Sequence, residues 1–224
     1  MPFVVVDTSI SLPATLSPGG LMRRFWVLLA LGALSYEVEH RQLELDELSR
    51  QAEREGGVVG GLEAAHAWIA RASDRRASLL ELLPDGTPDD WLAIGSAPLF
   101  DEYERKLREV GRKLDPALRD EDIAPLRRQI EVICAAGAPP FDPDTVPALT
   151  QDRKDDPILY TALVGDADLL ISDDKHLVHD RHEHLWEHDG RVVAAVTFDT
   201  LVNERLDAAN LGDIDGSWLA VAYG

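Results

Sequence analysis

The chain is short of cysteine, of basic residues and of long apolar runs, and each shortage excludes something. A single cysteine, Cys134, in 224 residues rules out an intrachain disulfide and a multi-cysteine zinc site. It fits a reducing, cytoplasmic setting. The longest apolar run, Phe25 to Leu34, has about half the length that a bilayer span needs, so no membrane-spanning segment is expected. The opening MPFVVVDTSI has no basic segment and reaches an acid at Asp7, unlike a secretory signal. Gly19-Gly20 and Gly60-Gly61 form no phosphate-loop pattern, which leaves nucleoside triphosphate binding unsupported. The 22 Lys and Arg are outnumbered by 41 Asp and Glu, for a net charge of −19. That charge repels phosphates at long range, so any contact with nucleic acid needs local positive charge or a metal ion. It suits cations and basic protein partners.

What is present is an ordinary globular composition, 45% hydrophobic and 28% charged, without repeats or low-complexity stretches. Phe3-Val4-Val5-Val6 is a continuous β-branched run, as in a strand buried on both faces of a parallel sheet. Further strands are expected at Trp91 to Gly95, Leu169 to Ser172 and Arg191 to Thr197. Helices are expected over Leu21 to Ser35, Glu37 to Arg54 and Gly61 to Leu83. Others are expected over Ala97 to Leu114, Asp122 to Ala136, Asp155 to Val164 and Phe198 to Leu206. Ser96 reads as an N-cap, with Pro98 in the first turn. Strands alternating with helices predict a three-layer α/β/α fold with a mostly parallel central sheet. Residues 36–83 read as a helical elaboration after the first strand. The domain is expected over 1–206, followed by a tail, 207–224, in which Ser217 to Tyr223 has the look of an edge strand.

Acids gather at one edge of such a sheet. Asp7 follows the first strand, Asp173 and Asp174 follow a later one, and Asp155 and Asp156 begin the helix leading into it. Asp101, Glu102 and Glu104 lie on the helix after WLAIGS. Functional groups of open α/β sheets collect at the carboxyl ends of strands. Carboxylates sharing a pocket repel unless a cation neutralises them, and an all-oxygen set suits Mg²⁺ or Mn²⁺.

These residues resemble a PIN-domain protein. VVVDTSI resembles the family's first strand and first acid, and APLFDEYERKL the helix with the second. DRKDDPILYTALVGDADLLISDDKHL, from Asp152 to Leu177, resembles the block carrying the third and fourth. The resemblance implies a Mg²⁺- or Mn²⁺-dependent endoribonuclease with Asp7, Glu102, Asp155 and Asp174 as catalytic, metal-binding acids. Ser9 and Ser172 would support them. Asp156 and Asp173 are the alternatives by a one-residue slip, and Glu104 the alternative to Glu102. Many small bacterial relatives are toxins held by an antitoxin, so a basic antitoxin joins RNA as an expected partner. A homodimer through the apolar helix from Leu21 to Leu34 is a further one. A non-catalytic PIN-like module for protein or RNA binding is the alternative.

Local basic groups answer the acidity in part. Arg105, Lys106 and Lys113 lie three, four and eleven residues after Glu102, near its helical face. Arg23, Arg24, Arg153 and Lys154 are further candidates for phosphate. His184-Leu185-Trp186-Glu187-His188 has the H-x-x-E-H spacing of a zinc protease, but Asp189-Gly190 ends the segment, which reads as an exposed polar loop. His176 reads as a residue of the site's rim. Cys134 reads as a buried helix residue, and Trp68, Trp186 and Trp218 as packing groups.

Overall fold

A computed structural model describes residues 1–17, 20–55, 62–81, 90–179 and 183–206. Strand β1 (Phe3–Val6) leads to helices α1 (Thr8–Leu16), α2 (Leu21–Glu55) and α3 (Leu62–Leu80). Next come β2 (Leu92–Gly95), α4 (Ala97–Lys106), a π-helical turn (Leu107–Gly111), α5 (Arg112–Leu114) and α6 (Asp120–Ile133). The chain continues through β3 (Ala136–Gly137), α7 (Asp156–Val164), β4 (Leu169–Ile171), β5 (Glu183–His188), β6 (Arg191–Val196) and α8 (Phe198–Glu204). The strands form one six-stranded sheet in the order β3-β2-β1-β4-β6-β5. Every pairing is parallel except the β5–β6 hairpin.

Alternation along the strands sends side chains into two apolar clusters, one on each face. Val4, Val6, Leu169 and Ile171 meet residues of α1, α2, α6 and α8. Val5 and Leu170 meet Ile158, Leu159 and Ala162 of α7. The FVVV run is therefore buried on both sides, as its unbroken hydrophobicity requires. Register aligns Val6 with Ile171 and Val4 with Ala93, so β1, β2 and β4 end together. After β1 the chain builds outward to β2 and β3, then returns to the other flank of β1 with β4. Such a switch point opens a crevice at the carboxyl ends of the strands.

Several expectations need correction. The segments 21–35 and 37–54 are a single helix, because no Gly or Pro interrupts the chain between Leu34 and Glu37. Its first half is largely spent on the core: Phe25 to Leu31 is buried throughout. Most of the expected dimer face from Leu21 to Leu34 is thus covered within the chain itself, with Leu21 exposed at its start. The helix expected to reach Ala136 stops at Ile133, and Ala136-Gly137 instead pairs with Ile94-Gly95 as an edge strand. Residues 183–188 form a strand rather than a loop. Asp189 and Gly190, both at positive φ (50° and 75°), make the two-residue turn that joins β5 to β6. His184 and His188 therefore stand on a strand, without the helical turn that the zinc-protease pattern needs. The tail from 207, with Ser217 to Tyr223 and Trp218, lies outside the described residues. Among the described residues no helix is long and apolar enough to cross a membrane.

One glycine sets how closely α2 approaches the sheet. A Cβ on Gly32 would overlap the backbone carbonyl of Trp91, just before β2. Gly32→Ala is expected to cost about 3 kcal/mol or more, since backbone on both sides leaves little to yield, and urea unfolding reads the loss.

Candidate acidic active site

The edge where β1 and β4 end carries a cleft of about 440 Å³. Its lining includes Asp7, Glu102, Asp152, Asp155 and Asp174, together with Arg105, Lys106, Glu109 and Lys154. The expected Asp7, Glu102, Asp155 and Asp174 therefore share one cavity.

Asp7 ends β1 and caps α1, and it is only 4% exposed. Its Oδ1 accepts from the Thr8 amide (2.6 Å) and hydroxyl (3.2 Å), and its Oδ2 from Ser9 Oγ and Ser172 Oγ, both at 2.7 Å. Charge-assisted bonds of this kind offset the burial of a carboxylate. The same serines accept from the next loop: the Asp173 amide donates to Ser9 Oγ (3.1 Å) and the Asp174 amide to Ser172 Oγ (3.0 Å). Ser9 and Ser172 thus lock the turn after β1 to the loop after β4.

The neighbouring alternatives separate cleanly. Asp174 lines the cleft, its Oδ1 accepting from the His176 amide at 2.8 Å. Asp173 turns aside, accepting from the Phe198 amide at the start of α8 (3.1 Å). Asp156 is 1% exposed; its Oδ1 accepts from the Leu149 amide and from the Thr150 amide and hydroxyl, and its Oδ2 faces Arg153 at 3.1 Å. It latches the loop before α7. Asp155 occupies the N-cap position of α7 yet makes no capping bond, and its Oδ2 is buried without a hydrogen-bond partner. Burial first, then the charges of Asp174, Asp152 and Asp7, push its carboxyl from 3.8 to about 6, against a smaller opposing effect of His176. On α4, Glu104 pairs with Arg108 (2.7 Å) and Arg127 (2.7 Å), which hold its carboxyl below the usual range, and Asp101 also pairs with Arg127. Neither lines the cleft; Glu102 does.

The basic candidates divide as well. Arg105 is bonded to Glu102 through Nε (2.8 Å) and Nη2 (2.6 Å), and to Glu109 through Nη1. Arg23, by contrast, is 5% exposed, donates to the Thr15 and Ser17 carbonyls, and does not line the cleft, so it ties the α1–α2 connection. Lys113 is exposed and does not line the cleft. The π-helical turn widens the helix between it and Glu102 and rotates it off that face by about a quarter turn. Arg24, Arg153 and His176 are also absent from the lining. Lys106 and Lys154 remain: both line the cleft, and neither forms an ion pair among the described residues. Asp152 was not singled out from sequence, although it stands three residues before Asp155 and its carbonyl accepts the Asp155 amide (2.9 Å). Cys134 is buried, which pushes its thiol up to about 12, far from a nucleophile's range. Trp68 lies under Arg41, and Trp186 packs on His179 and His184.

The donor set and the orphaned Asp155 oxygen have the chemistry of a hard divalent-ion site. Among the described residues, however, no three Asp, Glu, His or Cys side chains stand close enough to hold one ion. The hydroxyls around Asp7 and the guanidinium on Glu102 occupy the lone pairs that an ion would use.

Two adjacent aspartates should respond oppositely to neutralisation. The folded state raises the Asp155 pKa, so its favourable contribution is full below pH 3.8 and is lost as pH rises through about 6. Asp155→Asn is therefore expected to stabilise the metal-free chain at pH 7.5, by about 1 kcal/mol after allowance for solvent screening. Asp156→Asn should destabilise it by about 1–3 kcal/mol through its buried acceptors. Chemical denaturation with chelator at pH 7.5 and pH 4 checks both the signs and the convergence of Asp155→Asn with wild type at low pH. No family model, curated protein or solved structure matches the chain.

Proposed function

We propose that the chain is a PIN-type endoribonuclease that hydrolyses RNA phosphodiester bonds with Mg²⁺ or Mn²⁺ held by Asp7, Glu102, Asp155 and Asp174. The observation that carries this reading is Asp155: a helix-start carboxylate that caps nothing, has a buried unpartnered oxygen, and is repelled by Asp174, Asp152 and Asp7. Asp156 next to it also has an oxygen without a hydrogen bond, Oδ2, but Arg153 faces that one and three donors meet its Oδ1, whereas Asp155 has neither. When bound, such an ion activates water and stabilises the charge that develops on the phosphate and leaving oxygens. Ser9 and Ser172 fix the orientation of Asp7. Lys106 and Lys154 supply the local positive charge that lets a chain of net charge −19 accept a polyanion. On this reading a cognate antitoxin presents a basic segment to the acidic surface. A non-catalytic PIN-like module is the second reading, favoured by the lack of three groups close enough to hold one ion among the described residues.

Incubating labelled RNA and single-stranded DNA with the chain and Mn²⁺ separates the two readings. RNA cleavage should disappear with EDTA and fall about a hundredfold or more in Asp7→Asn and Asp155→Asn. Equal cleavage by wild type and both variants would defeat the assignment. Lys106→Ala and Lys154→Ala should each weaken RNA binding and lower the salt dependence of affinity by about one unit of slope, as followed by fluorescence anisotropy across a salt series.

A further inference from the structure

The cleft contains a cation of its own. The Arg105 guanidinium grips both oxygens of Glu102, at 2.6 and 2.8 Å, in the bidentate geometry that gives the strongest carboxylate pairing. Its remaining terminal nitrogen bonds Glu109, one helical turn further on. All three residues line the cavity. Glu102 and Glu109 raise the Arg105 pKa further above its usual range, with Glu102 the larger influence. The Glu102 side chain is only 20% exposed, so this pair is screened less than an ordinary surface pair. Asp7, Asp155 and Asp174 form no ion pair with Lys or Arg among the described residues.

We propose that Arg105 is a positioning residue, an internal counter-ion that holds Glu102 away from the divalent-ion site and must be displaced before Glu102 can serve as a ligand. The inference rests on the nuclease reading and deepens it. A guanidinium and a divalent ion compete for the same two oxygens, and the fork has to give up both hydrogen bonds before they are free. Glu109 retains Arg105 within the cleft after release. There its planar donors match a phosphate oxygen pair, so the group that competes with the ion is already beside the substrate's charge. The competition also accounts for Asp7, Glu102, Asp155 and Asp174 sharing one cavity without three of its acids closing on a point among the described residues.

The test is Mn²⁺ affinity by titration calorimetry on the full chain, with Asp155→Asn defining binding at this site. Arg105→Ala is expected to tighten Mn²⁺ binding about tenfold, equivalent to removing one strong competitor. Adding Glu102→Gln to Arg105→Ala should return the affinity to within about twofold of wild type, because the pair is then removed as a unit. Arg105→Lys keeps the charge but loses the fork, and should recover most of the tightening. An unchanged or weaker affinity in Arg105→Ala would overturn the proposal. So would tightening that survives Glu102→Gln, or Arg105→Lys behaving as wild type, since either makes bulk charge the cause. If no variant shows Asp155-dependent Mn²⁺ binding, the nuclease reading fails along with it. Wild-type binding that ignores Arg105 sinks this proposal alone.

Discussion

The parallel pairing of β1 with β4 is the constraint on which the cleft depends. Val6 lies opposite Ile171, so the residues that follow, Asp7 on one strand and Ser172 to Asp174 on the other, emerge side by side. The pairing is clamped beyond its last rung. The Asp7 amide donates to the Ile171 carbonyl, and Ser172 reaches back to Asp7 Oδ2. Because β2 and β4 leave β1 in opposite directions, the helices that follow them are parted above its end. Backbone geometry therefore makes the crevice, and the acids only occupy it.

Like charges collected at that edge are handled in three different ways. Asp7 is solvated internally by hydroxyls and an amide, Glu102 by a guanidinium, and Asp174 by the amide of His176. Asp155 has burial and its neighbours' repulsion against it, with only a smaller favourable influence from His176, so its carboxyl is held above the usual range. The unevenness is informative. A surface that merely tolerated its acids would expose them, whereas here the least satisfied oxygen is also a buried one.

Much of the architecture was legible wherever an apolar run abuts an acid or a cap. FVVV before Asp7, LLI before Ser172, and Ser96 with Pro98 at the start of α4 carry local signals that tertiary packing did not override. The grouping of Asp7, Glu102, Asp155 and Asp174 at one edge followed from the same strand ends. Other features depend on partners distant in sequence. Ala136-Gly137 becomes a strand only because β2 has a free edge beside it. The π-helical turn that rotates Lys113 away has no composition of its own, and the choice between Asp155 and Asp156 rests on which one Thr150 bonds. The hairpin at residues 183–191 is a different case: Asp-Gly between two runs is a strong turn signal, obscured here by the surrounding histidines. The burial of Arg23 follows from carbonyls left open at the end of α1.

The bond from Ser172 to Asp7 spans 165 residues of chain. Until β4 has been synthesised and has docked, Asp7 lacks the Ser172 hydroxyl and β1 has β2 alone as a neighbour. No N-terminal fragment ending before β4 contains both walls of the crevice. Closing so long a loop is slow compared with forming helices such as α2. The two walls of the acidic pocket therefore come together only after the whole stretch from β1 to β4 has been made.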